Sequence, residues 1–183
     1  MQKIGASALV ALYVIIIIAT AYNCVVIFTH PKKYDNAIQS VCAEFDIDQS
    51  TFYALVNVES SFNPNAKSSA GAIGLTQLRP STAEYICVKN NIDFSSIDLY
   101  NPQDNLYVGA MYLRYLLDKF DTTYTALAAY NAGETTVRAW LGDQRYSYDK
   151  ISLYNIPYKE TENYIKKIKN NEKIYRQFYK IKN

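Results

Sequence analysis

The 183-residue chain is expected to be all-α: a helical domain preceded by one N-terminal transmembrane helix. Three observations predict this. An uncharged run from Ile4 to Phe28 opens the chain. Behind it, apolar residues recur at helical spacing, and no sustained period-two alternation argues for a sheet. Pro80 and Pro102 each stand where a helix begins, as first-turn prolines do. The expected division is an anchor or signal segment over 1–30 and a catalytic-sized domain over 31–183, with no repeat, low-complexity tract or second folded domain.

The first element contains Val14-Ile15-Ile16-Ile17-Ile18 and no charged side chain in 25 residues. As a helix it is about 37 Å long, against a hydrocarbon core of about 30 Å. Lys3 precedes it and His30-Pro31-Lys32-Lys33 follows, so flanking charge sets no orientation. A cleaved signal peptide is the rival reading, because Ala19-Thr20-Ala21 has the small-x-small form of a cleavage site. Against it, the apolar run continues through Val25-Val26-Ile27-Phe28, where a mature chain should turn polar.

Next, Lys33 to Phe45 reads as a helix with Ile38, Val41, Cys42 and Phe45 inward. Residues 50–59 form another. Phe52, Leu55, Val56 and Glu59 fall at i, i+3, i+4 and i+7, so a carboxylate shares the apolar face. Asp48 or Ser50 can cap its start, and Asn63-Pro64 stops it a few residues after Glu59. Pro80 starts a helix to about Val88. Pro102 starts a long one to about Phe120, with Leu106, Val108, Met111, Tyr112, Tyr115 and Leu116 as buried surface. Thr122–Asn131 and Glu134–Leu141 follow, joined at Gly133. A tyrosine-rich connection without clear period leads to a last helix from Tyr158 to about Tyr179.

Glu59 carries the chemistry in this reading. Burial disfavours its charged form, and the negative end of its helix disfavours it further. Both move it toward the range of roughly 6–7 that suits a general acid near neutral pH. A helix-end glutamate turned to solvent is the plain alternative. The motifs around it weigh against that: Glu59-Ser60-x-Phe62, Gly71-Ala72-x-Gly74-Leu75-x-Gln77-Leu78, Pro80-x-Thr82-Ala83, Ala129-Tyr130-Asn131-Ala132-Gly133 and Glu160-Thr161-x-Asn163-Tyr164, in this order. From Tyr34 to Phe178 the chain resembles the catalytic domain of soluble lytic murein transglycosylases, lysozyme-like enzymes that cut peptidoglycan and are related to goose-type lysozyme.

The resemblance implies a lysozyme-like α-rich fold with Glu59 as the only catalytic acid/base. It also implies that Ser68, Gln77 and Tyr130 line a sugar cleft, with Asn131 beside Tyr130, and that Glu160 and Tyr164 face the same groove. The implied reaction cleaves the β-1,4 bond between N-acetylmuramic acid and N-acetylglucosamine without water, leaving a 1,6-anhydro end. Hydrolysis as in goose-type lysozymes and a wall-binding scaffold of a secretion or conjugation apparatus stay open as alternatives. One departure is visible: where the family usually has Met before the loop glutamine, this chain has Thr76, which puts in doubt an apolar contact beside the sugar. The inferred substrate places the domain outside the cytoplasm, anchored or, after signal cleavage, secreted.

Composition narrows the partners. The 18 tyrosines offer flat faces for sugar rings, though most are expected to pack. Lys150 to Asn183 holds nine basic and three acidic residues, whereas His30 to Asp149 holds nine basic and fourteen acidic. That basic end reads as a solvated lysine face or an attraction to anionic wall polymers and lipid headgroups. No nucleic-acid motif accompanies it. One histidine and three cysteines offer no metal-ligand spacing, and no cofactor is expected. Cys42 and Cys87 can pair outside the cytoplasm or serve as small core residues. A monomer is expected.

Overall fold

The structure, a computed structural model, describes residues 5–181; Lys3, Ile4 and Lys182 of the sequence reading lie outside the described residues. The chain divides into two units, residues 1–33 and residues 34–183.

The first unit holds α1 (Ala6–Thr29). Its stretch Ala8–Thr29 has a mean hydropathy of 2.5, and the helix is long and apolar enough to cross a membrane. Ile15, Ile18, Val25 and Phe28 are all exposed, so the helix has no polar face to turn to water. The hydroxyls of Thr20 and Thr29 donate to the carbonyls of Ile16 and Val25 at 2.8 and 2.7 Å, satisfying within the helix groups that hydrocarbon would leave unpaired.

The second unit is helical, and no strand occurs among the described residues. Its elements are α2 (Asp35–Glu44), α3 (Gln49–Ser60), α4 (Pro80–Lys89), a 3-10 turn (Phe94–Ser96), α5 (Pro102–Leu117), α6 (Thr123–Ala132), α7 (Glu134–Leu141) and α8 (Lys159–Phe178). Caps mark several starts. Asp48, Asn101 and Thr122 each accept a backbone N–H from the first turn of α3, α5 and α6, worth about 1 kcal/mol apiece. Of the two candidate caps for α3, Asp48 takes the role. Gly133, at φ 91°, ends α6 and starts α7.

α3 runs through the middle. Every residue from Ser50 to Asn57 is buried, because the helix meets α2 on one side and lies along α8 on the other. A central helix needs partners for its polar groups. Asn57 accepts from the side-chain amide of Asn171 at 2.8 Å, and the Tyr53 hydroxyl donates to Asp35. Tyr53 stacks on Tyr175 of α8 with ring centres 5.2 Å apart. A smaller apolar cluster of Leu78, Ala83, Ile86, Cys87, Leu99, Val108 and Met111 joins α4 to α5. Cys42 lies in the main core and Cys87 in this smaller one; both are free thiols, so they do not pair. Burial pushes the Cys42 thiol up to about 12.

Boundaries differ from the sequence expectation where local signals are weak. α2 starts at Asp35 rather than Lys33, and Phe45 is its half-buried C-cap, edge-on to Tyr107. α5 stops at Leu117, three residues short of Phe120. Tyr112 and Tyr115 of α5 are half-buried rather than core, with consequences for the site.

Candidate active site

The groove is built on the end of α3. The helix stops at Ser60 because Ser61 and Phe62 both take left-handed backbone, φ 51° and 62°, one turn before Pro64. Phe62 is driven into the core by this reversal and is 1% exposed, a burial worth roughly 2 kcal/mol that holds the chain end of α3 down. Glu59, on the last turn, is thereby left at the boundary between core and groove. It is half-buried, and burial pushes its carboxyl up to about 7; the charge of Glu160 adds to the rise and a hydrogen bond from Tyr164 opposes it.

That bond runs from the Tyr164 hydroxyl to Glu59 Oε1 at 2.7 Å, across 105 residues of sequence. Tyr164 is 6% exposed and stands behind Glu59. The other carboxyl oxygen of Glu59 has no hydrogen-bond partner among the described residues. Burial, with the nearby Glu59 charge, holds the hydroxyls of Tyr130 and Tyr164 protonated far above the ordinary tyrosine range.

The loop between α3 and α4 forms one wall. Gly74 N–H bonds the Ala66 carbonyl at 2.9 Å, and Ile73 and Leu78 exchange backbone bonds at 2.9 and 3.1 Å. One side chain, Asn105 of α5, pins this loop from below. It accepts from Thr76 N–H at 2.8 Å and the Thr76 hydroxyl at 2.7 Å, and donates to the carbonyls of Ile73 and Leu99. Gly74 exists here for space as well as conformation: at φ 78°, an added Cβ would lie 2.2 Å from Asn105 Nδ2 and 2.4 Å from the Leu99 carbonyl oxygen. Gly109 likewise admits Thr76, whose side chain would sit 2.5 Å from a Cβ there. The concern raised by Thr76 thus resolves in a different place. Thr76 is fully buried and does not line the groove; its hydroxyl and its close fit to Gly109 belong to the loop's foundation.

Together these elements form a groove of about 470 Å³ lined by Glu59, Ser68, Gln77, Tyr112, Tyr130, Asn131 and Glu160, with Arg79, Thr82, Ala132 and Gly133. Of the residues singled out in the sequence, Glu59, Ser68, Gln77, Tyr130, Asn131 and Glu160 meet here; Tyr164 reaches the site through Glu59 instead of lining it. Several polar groups are already aimed. The Gln77 amide nitrogen donates to the carbonyls of Gly74 and Ala66, leaving its oxygen as an acceptor. Asn131 Oδ1 accepts from the Thr161 hydroxyl at 2.7 Å, leaving its amide nitrogen as a donor. Ser68 Oγ accepts from Ala72 N–H, so its own proton is free to donate. The Tyr130 hydroxyl donates to the Thr76 carbonyl at 2.9 Å, tying α6 to the loop.

Sequence reasoning missed Tyr112, Arg79 and Thr82 as lining residues, Thr161 as the support of Asn131 and Asn105 as the support of the Thr76 loop. Thr161 lay inside a quoted motif, between two residues that were noticed. Among the described residues no cluster of His, Cys, Asp and Glu could hold a metal ion.

A helical lobe with a raised glutamate at a helix end, facing a glycine-shaped loop, resembles a lysozyme-like site, and comparison with known proteins gives the family. The chain belongs to the transglycosylase SLT domain family, whose model matches residues 36–153. It is 35% identical over 152 residues to the soluble lytic murein transglycosylase of Salmonella typhimurium, covering 81% of this chain and 24% of that protein. It is 32% identical over 168 residues to the membrane-bound lytic murein transglycosylase C of Histophilus somni, covering 79% of this chain and 46% of that protein. Among solved structures, an inactive mutant of the lytic transglycosylase Slt from Pseudomonas aeruginosa matches with a TM-score of 0.76 at 29% identity, covering 86% of this chain and 26% of that one. The 70 kDa soluble lytic transglycosylase of Escherichia coli matches with a TM-score of 0.71 at 31% identity, covering 82% and 25%. The chain therefore spans about a quarter of the length of the soluble relatives it matches.

Proposed function

We propose that this chain is a membrane-anchored lytic transglycosylase that cleaves the β-1,4 bond between N-acetylmuramic acid and N-acetylglucosamine in peptidoglycan. The observation that carries the reading is Glu59, a carboxyl raised to about 7, held by Tyr164 and lining a groove whose walls carry Ser68, Gln77, Tyr130 and Asn131. Family membership and the likeness to proteins named for this activity support it.

Protonated Glu59 gives its proton to the oxygen that links muramic acid C1 to the next sugar, and that C1–O bond breaks. Positive character builds at C1, where groove dipoles such as the Gln77 carbonyl oxygen can offset it. The Glu59 carboxylate then takes the proton of the muramic acid C6 hydroxyl as that oxygen bonds to C1. One proton leaves and one returns, the product is a 1,6-anhydro end, and no water is consumed. Ser68, Gln77, Asn131 and Tyr130 seat the sugars in this scheme. A raised carboxyl is suited to both roles, since it neither holds its proton too tightly nor loses it before the substrate binds.

A hydrolytic reading rests on one feature: Glu160, a second carboxylate, lines the same groove, as the base of a two-carboxylate glycosidase would. Digestion of purified peptidoglycan in heavy-oxygen water separates the two. Non-hydrolytic cleavage leaves muropeptides unlabelled, lighter by one water than lysozyme products and without a reducing end. Heavy oxygen at muramic acid C1 would make the enzyme a hydrolase with Glu160 as its base.

The anchor reading rests on α1, apolar along its whole length. The domain then works outside the cytoplasm, tethered to the membrane as a monomer, with neither nucleic acid nor cofactor involved. The mature protein should stay with membranes after high-salt washing, because burying such a helix contributes far more than headgroup charge. An N-terminus beginning at Tyr22 in the purified protein would mean that the segment is a signal peptide.

A further inference from the structure

One wall of the groove does not end where the groove ends. Tyr130 and Tyr112 meet at 5.0 Å between ring centres inside it, Tyr112 stacks on Tyr115 at 6.4 Å, and Tyr115 meets Tyr85 edge-on at 6.0 Å. The four rings form a continuous track from the floor of the groove to the surface, where Tyr85 is 53% exposed. The track follows from helical phase. Thr82, Tyr85 and Lys89 on α4 stand at i, i+3 and i+7, and Tyr112 and Tyr115 on α5 stand at i and i+3 with Lys119 in the turn just past the helix end, so the two helices turn their stripes to the same strip of surface. Thr82 and Tyr112 line the groove at the near end, and two lysines stand at the far end.

Those lysines are placed unusually for surface cations. Lys89 Nζ and Lys119 Nζ both lie 5.5 Å from the centre of the Tyr115 ring, and neither makes an ion pair among the described residues. Two ammoniums gathered at one ring repel each other, and the ring's quadrupole offsets only part of that. Glu134 nearby accepts the Tyr115 hydroxyl at 2.8 Å, pairs with Arg138 at 2.8 Å and also feels the Lys119 charge, so one carboxylate serves two cations.

We propose that this track extends the substrate groove and that Lys89 and Lys119 hold a carboxylate of the peptide stem carried on muramic acid. The inference rests on peptidoglycan being the substrate. A sugar of the same strand lies on the Tyr112–Tyr115 faces, which suit the apolar face of a pyranose ring, and the stem's negative charge completes the cation pair. The site thereby selects strands that still carry their peptides. Sugar alone does not account for the lysines, and an anion alone does not account for the rings leading to them.

The test compares glycan strands bearing peptide stems with strands stripped of them by an amidase, using the full chain in detergent. Release of anhydro ends from the peptide-bearing strands by the unmodified protein is read first; it tests the reaction, and its absence would overturn the reaction itself before the track is questioned. The unmodified enzyme should prefer peptide-bearing strands in kcat/KM by about tenfold, equivalent to about 1.4 kcal/mol, through KM rather than kcat. In the Lys89→Gln/Lys119→Gln double variant that ratio should fall to near one, and added salt should erode the preference of the unmodified enzyme but not of the variant. A ratio that survives the double substitution, an unmodified enzyme with no preference, or an equal loss on both strands would each overturn the proposal.

Discussion

Glu59→Gln is expected to abolish cleavage of cell walls, with a loss of more than about a thousandfold, because one residue serves as both acid and base and each role commonly supplies 10²–10⁴. The amide keeps the shape and still accepts the Tyr164 hydroxyl, so fold and glycan binding should persist. Clearing of wall suspensions within tenfold of the unmodified rate would remove Glu59 from the mechanism. The same substitution makes a stability prediction of opposite sign. Glu59 has its folded value raised from 4.5 to about 7, so the protonated form is favoured in the native state. Its contribution is fully present below the unfolded value and is lost as pH climbs through the folded one. Gln, which cannot ionise, escapes that loss. The variant should therefore melt several degrees above the unmodified protein at pH 8, for a gain of about 2 kcal/mol, and match it near pH 4.5. This figure is set below the full shift because one side of the carboxyl opens on the groove. The activity of the unmodified enzyme should fall as pH rises past about 7, with the acid form. Equal melting temperatures at pH 8 would mean that Glu59 is not held as a neutral acid.

Gly74→Ala is expected to be the most damaging single methyl in the domain. The added carbon meets Asn105 Nδ2 at 2.2 Å and the Leu99 carbonyl at 2.4 Å, and the backbone at φ 78° already resists a side chain. The conformational cost is about 1–2 kcal/mol and the overpacking adds about 1–3, so roughly 2–5 kcal/mol of stability should go. Asn105 would have to leave the Thr76 amide and the Ile73 carbonyl, and the loop that carries Gln77 and receives Tyr130 would go with it. Gly71 is the internal control. Its φ is 81°, yet nothing lies within 4 Å of an added Cβ, so Gly71→Ala should cost only the conformational part. Thermal melts should show a drop of about 5–20 °C for Gly74→Ala and a few degrees for Gly71→Ala. Similar small drops for both would show that the loop is not pinned through Asn105.

The apolar N-terminal helix, the order of the helices and the inward turn of Glu59 could be read from the sequence by itself, because each depends on neighbours within a turn or two: an uncharged run, a proline in a first turn, an apolar phase at i, i+3, i+4 and i+7. The resemblance to a family likewise needed only short motifs in order. What completes the site depends on distance in space rather than in sequence. The hydroxyl that steadies Glu59 arrives from 105 residues away on α8, and the amide that pins the loop comes from α5, 29 residues past Thr76. Both exist only after helices have packed, and no local pattern encodes which face of α8 will lie against the end of α3. The same reason explains the two misread tyrosines. Periodicity placed Tyr112 and Tyr115 on the inner side of α5, but whether an inner side meets core or groove is decided by where α4 and α6 stop covering it. Thr76 shows the reverse. The resemblance raised it as a doubt about an apolar contact beside the sugar, whereas its neighbours in space, Asn105 and the bare backbone of Gly109, took it into the interior.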